Sequence, residues 1–200
     1  MAYKNPVNAL LNGRLTFFQE FLKHPAQIGS IIPSSRFLER RILKAGGIAS
    51  AKTIVELGCG TGGTTRAILR RMTKHARLLS VEINPHFHAL VSAIGDKRPI
   101  PHLGNACGLK EILPIYGLCD PEVVISGIPF STMSYSSGAQ VLGAISSLLA
   151  PNGRFVAYQV SKRVDLLCRH FLGPGRVTVE FLNIPPMRVY QWQKAGPEVK

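Results

Sequence analysis

The chain has 200 residues, 46% of them apolar and 18% charged, with 24 basic against 11 acidic side chains and a net charge of +13. That length and composition suit one globular domain with a full core and leave little room for a second, and the cationic excess favours phosphate-bearing partners, nucleic acid or an anionic bilayer, without choosing between them. Cys59, Cys107, Cys119 and Cys168 form no C-x-x-C pair; with no signal-peptide pattern, this argues against a zinc site or a disulfide framework and for a reducing cytosol.

In chain order, Val7, Leu11, Leu15, Phe18 and Leu22 recur at helical spacing, widened by Leu10, Phe17 and Phe21 and flanked by Lys4, Arg14 and Lys23 against one acid, Glu20. Such a helix either lies in a bilayer interface or caps the core. A second helix begins near Ser34 or Ser35 and carries Arg36, Arg40 and Lys44 on one face, either simply solvated or in contact with lipid phosphates. No apolar run approaches the roughly 18 residues that a membrane-spanning helix needs, so any membrane contact is peripheral.

From residue 53 the pattern alternates: strand 53–57, helix about 63–72, strand 77–82, helix about 85–94 and a strand near 100–104. A strongly apolar strand over 122–126 follows, then a helix near 138–149, a Pro151-Asn152-Gly153 turn and a strand over 154–160. Val177 to Leu182 and Val189 to Gln193 read as strands whose connection is too short for a parallel crossover, hence an antiparallel pair at the sheet edge. The ends, about 1–4 and 195–200, are expected to fray.

The chemistry starts at Glu56-Leu57-Gly58-Cys59-Gly60-Thr61-Gly62, a glycine turn closing the first strand, and at Glu82, which ends the next. A turn without β-carbons lets main chain approach a ligand, the following helix points free N–H groups at it, and the second acid suits ribose hydroxyls. Gly58, Gly60 and Gly63 also satisfy G-x-G-x-x-G, which by itself is a weak dinucleotide signal. The lack of a second domain, Glu56 before the turn and Gly104-Asn105-Ala106 after the third strand move the reading elsewhere. Together these segments resemble the motifs of class I S-adenosylmethionine-dependent methyltransferases.

The resemblance implies a Rossmann-like α/β fold, a mostly parallel seven-stranded sheet with an antiparallel edge strand and N-terminal helices. It implies S-adenosylmethionine as cofactor, S-adenosylhomocysteine as product and no metal. The implied cofactor residues are Ser30, Glu56, Gly58, Gly60, Gly62, Glu82, Ile83, Asn105, Ala106 and Ser126. Glu82 would accept from both ribose hydroxyls, Glu56 would add charge near the ammonium or order the turn, and Asn105 stands where the family commonly has Asp.

Ser126-Gly127-Ile128-Pro129-Phe130 occupies the place where amino-group methyltransferases carry an Asn/Asp-Pro-Pro-Tyr type motif. Ser126, Ile128 and Phe130 are therefore the candidate catalytic residues: a proline-fixed turn aims carbonyls at an amine, and Phe130 faces the developing cation or packs in the core. With Phe17-Phe18 through Phe21, Pro33-Ser34-Ser35 and Asn183-Ile184-Pro185-Pro186, the chain resembles the bacterial phospholipid N-methyltransferases that convert phosphatidylethanolamine toward phosphatidylcholine.

That resemblance implies a monomer docked on the cytoplasmic leaflet. A helical docking segment over 1–48 (Phe17, Phe18, Phe21, Ser34, Ser35, Arg36, Arg40, Lys44) packs on a cofactor-binding core over 49–200. The implied reaction is in-line displacement on the sulfonium methyl by a neutral amine. No residue stands out as base, His24, His86, His88 and His102 being candidates only by type. An RNA or DNA adenine N6-methyltransferase and an ornithine-lipid N-methyltransferase are the rival readings, the former disfavoured by the Ser-Gly-Ile-Pro-Phe turn and the missing nucleic-acid domain.

Overall fold

The computed structural model describes residues 34–196. Seven strands form one sheet in the order β3-β2-β1-β4-β5-β7-β6. Strands β1 (Thr53–Leu57), β2 (Arg77–Glu82), β3 (Pro99–Leu103), β4 (Val123–Ser126) and β5 (Arg154–Gln159) are parallel. Strand β7 (Met187–Gln193) runs antiparallel to both β5 and the outermost β6 (Arg176–Glu180). This is the expected Rossmann-like class I methyltransferase sheet, and its last two strands pair antiparallel as their short connection requires.

Among the described residues six helices cover it: α1 (Arg36–Gly46), α2 (Gly63–Arg71), α3 (Pro85–Ser92), α4 (Leu109–Ile115), α5 (Tyr135–Leu148) and α6 (Arg163–Leu172). Strand alternation sends side chains to two cores, because a parallel sheet covered by helices is buried on both faces. Val55, Leu57, Leu79, Val124 and Phe155 meet the α4–α6 side. Ile54, Leu78, Val123, Ile125 and Val156 meet Leu38 and Ile42 of α1 and Ile68 and Leu69 of α2. Trp192 of β7 stacks between Phe155 and Tyr190, with ring centroids 5.2 and 5.7 Å away.

Several boundaries differ from the sequence expectation, each for a local reason. Helix α5 starts at Tyr135, not near 138, because the Ser134 hydroxyl accepts from the Ser137 N–H at 3.1 Å and caps it. Glu122 lies outside β4, its carboxylate accepting from the Lys52 N–H at 2.7 Å. Strand β6 stops at Glu180, whose carboxylate turns back to the Leu182 N–H at 2.9 Å, and β5 stops one residue before Val160. Helices α4 and α6 were not anticipated.

Helix α1 begins where expected: Ser35 is its N-cap, with the hydroxyl accepting from the Leu38 N–H at 3.2 Å. Its start and the β6–β7 connection are tied together, the Ser35 N–H donating to Asn183 Oδ1 at 2.9 Å across 148 residues of sequence. Arg41 adds an ion pair to Glu180 at 2.9 Å. The helix thus runs from the C-terminal edge of the parallel strands back toward their N-terminal edge, where Gly47 packs beside Arg154. The amphipathic stripe from Val7 to Leu22, with Phe17, Phe18 and Phe21, and also Ser30 and Pro33, lies outside the described residues, as does all of the 1–48 docking segment before Ser34. No helix among the described residues is long and apolar enough to cross a membrane.

Candidate active site

The C-terminal edge of the parallel strands gathers the predicted motifs. Gly58, Gly60 and Gly62 adopt φ of 74°, 52° and 78°, the left-handed region that strains any residue with a β-carbon, and Gly62 is the N-cap of α2. The turn is stitched to the sheet: the Gly58 N–H donates to the Val81 carbonyl and the Gly127 N–H to the Leu57 carbonyl, each at 2.9 Å. A β-carbon on Gly58 would lie 3.1 Å from Ile128 Cγ1, and one on Gly127 would lie 2.9 Å from the Gly58 carbonyl and closer still to the Tyr158 hydroxyl. The cofactor-type turn and the acceptor-type turn are therefore packed directly on each other, and glycine at both positions permits it.

Behind the turn lie two buried acids. Glu56 is fully buried, its Oε2 accepting from the Thr65 hydroxyl at 2.7 Å and the Ser80 hydroxyl at 3.0 Å, while Oε1 has no partner. Burial pushes its carboxyl up to about 7, against the pull of the two hydroxyls and with the help of the Glu82 charge. Glu82 Oε2 accepts from the Gly60 N–H at 3.0 Å and Oε1 from the Asn84 N–H at 3.0 Å. An ionised carboxylate offers about four lone-pair sites; with the Cys59 thiol also directed at Oε2, roughly one remains for a ribose hydroxyl. Ile83, next in the chain, is 66% exposed, an apolar side chain standing in solvent beside that acid.

These features fit the cofactor implied by the fold: a glycine turn in the left-handed region, a buried carboxylate oxygen behind it without a partner among the described residues, an acid with an acceptor to spare and an apolar platform. Asn105 is exposed, with Oδ1 accepting from the Cys107 N–H at 2.9 Å and capping a short 3₁₀ turn over Ala106–Gly108, and Ala106 is buried. The structure gives Asn105 a local capping role in addition to any ligand role.

The acceptor turn corrects part of the expectation. Phe130 is completely buried in the α4–α6 core and lies near Gly138 of α5, so its ring packs the interior and does not face an amine. Ser126 is equally buried, and its hydroxyl accepts from the Ile128 N–H at 3.3 Å, shaping the turn from within. The carbonyls of Ile128 and Pro129 are already engaged: the former by Gln159 Nε2 at 2.6 Å and the Phe130 N–H at 3.0 Å, the latter twice by Thr132. What the turn leaves accessible is its middle, Gly127, Ile128 and Pro129, and the Gly127 carbonyl takes no donor among the described residues.

Sequence reading missed the wall of this site. Tyr158 at the end of β5 sets its hydroxyl 3.3 Å from the Thr64 hydroxyl, and burial, with Glu56 nearby, raises it above the usual phenol range. Gln159 is buried and its Oε1 has no partner. Cys59 lies 3.7 Å from Glu82 Oε2, and burial, with Glu56 and Glu82, holds its thiol protonated. Tyr158 and Gln159 become visible only once β5 is known to lie beside β4. Of the histidines expected as possible bases, His102 is bonded to the Tyr116 hydroxyl at 2.9 Å on β3 and His86 is exposed at the start of α3; His24 lies outside the described residues.

Arg36, Arg40 and Lys44 are all exposed on α1. The axis of α1 leads away from the site, so Lys44 is about 12 Å below Arg36, eight residues at about 1.5 Å each. Arg36 is the member of the row nearest the C-terminal edge. Among the described residues no group of three or more His, Cys, Asp or Glu is arranged to hold a metal.

No protein-family model matches the chain. It is 28% identical over 177 residues, 87% of this chain and 92% of the relative, to an ornithine lipid N-methyltransferase of Singulisphaera acidiphila. Its fold matches that of precorrin-6y C5,15-methyltransferase from Geobacter metallireducens at a TM-score of 0.65 and 15% identity, covering 82% of this chain and 91% of that one. It also matches 1,6-didemethyltoxoflavin-N1-methyltransferase of Burkholderia thailandensis, solved with S-adenosylhomocysteine, at a TM-score of 0.61 and 14% identity over 98% and 92% of the two chains. The fold is that of the class I methyltransferases, and fold and relative together support an enzyme that takes S-adenosylmethionine as methyl donor.

Proposed function

We propose that the chain is a lipid N-methyltransferase that methylates the primary amine of phosphatidylethanolamine, and then its mono- and dimethyl products, toward phosphatidylcholine at the cytoplasmic membrane surface. The observation that carries the lipid is the likeness to a lipid N-methyltransferase along nearly the whole of both chains, 28% identical over 177 residues. That same relative favours a second acceptor, the amine of an ornithine lipid, and the two head groups share the chemistry that the site must handle.

In this reading Gly58, Gly60 and Gly62 hold the amino-acid end of the cofactor, Glu56 meets its ammonium, Glu82 takes a ribose hydroxyl, and Ile83 and Asn105 flank the adenine. When bound, S-adenosylmethionine supplies an electrophilic methyl group. The work of the chain is positioning. The Gly127 carbonyl, which takes no donor among the described residues, is the acceptor that orients the incoming amine, Gln159 and Ser126 fix the turn that carries it, and the half-buried Ile128 shields it from water. The acceptor amine has an ordinary pKa near that of lysine, about 10, and sheds its proton to water before reaction.

The test is mass spectrometry of lipids from a host without phosphatidylcholine that expresses the chain, with and without ornithine lipid in its membranes. Methylated ethanolamine lipids establish the first acceptor and methylated ornithine lipid the second. Unchanged lipids alongside methylated RNA overturn both.

A further inference from the structure

The six residues that join β6 to β7 are arranged inside out. In an ordinary surface connection, polar side chains face water and apolar ones turn in. Here Asn183 is 1% exposed, with Oδ1 accepting from Ser35 and Nδ2 donating to the Pro185 carbonyl at 2.9 Å, while Phe181, Leu182 and Ile184 stand 74%, 63% and 57% exposed. The one polar side chain serves as the internal anchor, and three large apolar ones are held out.

The topology says where they are held. Strand β7 is antiparallel to β5 with Gln159 opposite Arg188, and Glu180 lies opposite Met187. The connection therefore projects from the edge of the sheet that carries the glycine turn, Glu82 and Gly127. Exposed cations flank it: Arg36 starts the helix pinned to Asn183, and Lys162 follows the end of β5. No acid occurs between Phe181 and Arg188, and Glu180 is engaged by Arg41 and the Leu182 N–H.

We propose that the β6–β7 connection is a bilayer-inserting edge: Phe181, Leu182 and Ile184 enter the interfacial layer of an anionic membrane while Arg36 and Lys162 meet lipid phosphates. Apolar and aromatic side chains flanked by cations have this affinity, and an exposed apolar patch of this kind marks an interaction site. The inference rests on the lipid-amine reading and deepens it, since insertion at this edge brings head groups to the turn that would receive them.

The experiment is co-sedimentation of the full chain with vesicles of phosphatidylethanolamine and phosphatidylglycerol. Phe181→Ser/Leu182→Ser lowers the partition coefficient by about tenfold or more, with thermal midpoint and S-adenosylhomocysteine affinity unchanged; equal partitioning of a folded double variant overturns the proposal. Because Trp192 is the one tryptophan and is buried, Phe181→Trp gives a second reading that does not depend on the double variant folding. Its emission shifts blue on vesicles and is quenched by brominated acyl chains, and absence of both overturns the proposal. A dimer that the double variant dissolves, with no vesicle binding by wild type, likewise overturns it. Insertion without methylation of any lipid amine upholds the docking edge and removes the proposed function. Undiminished methylation of vesicle lipid by the double variant does the reverse.

Discussion

Glu56→Gln isolates a buried ionisation beneath the cofactor turn. In the folded chain burial raises the carboxyl from 4.5 to about 7. The folded state then holds a proton that the unfolded state has released, so stability falls as pH rises from 4.5 to 7 and is level beyond. At about 1.4 kcal/mol per pH unit, the loss amounts to roughly 3 kcal/mol. Glutamine keeps an acceptor for the Thr65 and Ser80 hydroxyls and removes the titration. Urea unfolding of both proteins from pH 4.5 to 8 therefore shows Glu56→Gln gaining on wild type by about 3 kcal/mol across that window, while changes at other carboxylates cancel in the difference. A difference curve that stays flat refutes the assignment of this ionisation to Glu56. The cofactor ammonium is expected to stabilise the ionised form of the same carboxyl, whose proton then passes to the buffer, so calorimetric binding of S-adenosylhomocysteine near pH 6.5 releases protons in wild type and not in Glu56→Gln.

Three further outcomes follow from contacts at the same edge. Gly127→Ala drives a methyl group against the Gly58 carbonyl and the Tyr158 hydroxyl; overpacking of about 1–3 kcal/mol lowers the thermal midpoint and weakens S-adenosylhomocysteine, and adding Tyr158→Phe restores only part. Asn183→Ala strips a buried amide from the Ser35 N–H and the Pro185 carbonyl, and denaturant unfolding should register a loss of about 1–3 kcal/mol. Gln159→Leu frees the Ile128 carbonyl; steady-state kinetics should show turnover falling with cofactor affinity retained, whereas loss of both would remove Gln159 from the acceptor side.

The glycine turn of the candidate site was legible in sequence because backbone geometry demands it. Three left-handed positions require glycine, and an acid at the end of the second strand falls beside them in any right-handed βαβ unit. The acceptor half was less so. Phe130 reads identically whether it lines a pocket or fills the core, and only the packing of α5 against its ring decides. Tyr158 and Gln159 join the site through strand order, which local pattern does not contain. Helix α6 had a usable signal in Val164, Leu167, Cys168 and Phe171 at helical spacing, but Lys162 supplies no side-chain cap. Helix α4 is seven residues long and contains Pro114, which masks its period.

The sheet order also bears on how the chain reaches its folded state. Among the described residues strand β6 touches the sheet only through β7, and β7 follows every other strand of the sheet in chain order. A nascent chain can assemble β1 to β5 with their helices, but until residues 187–193 emerge β6 has no partner and the flank of β5 is open, an unpaired edge of the kind that recruits other chains. Closure thus waits on β7, and because Trp192 lies within β7 against Phe155, its fluorescence times that step in refolding.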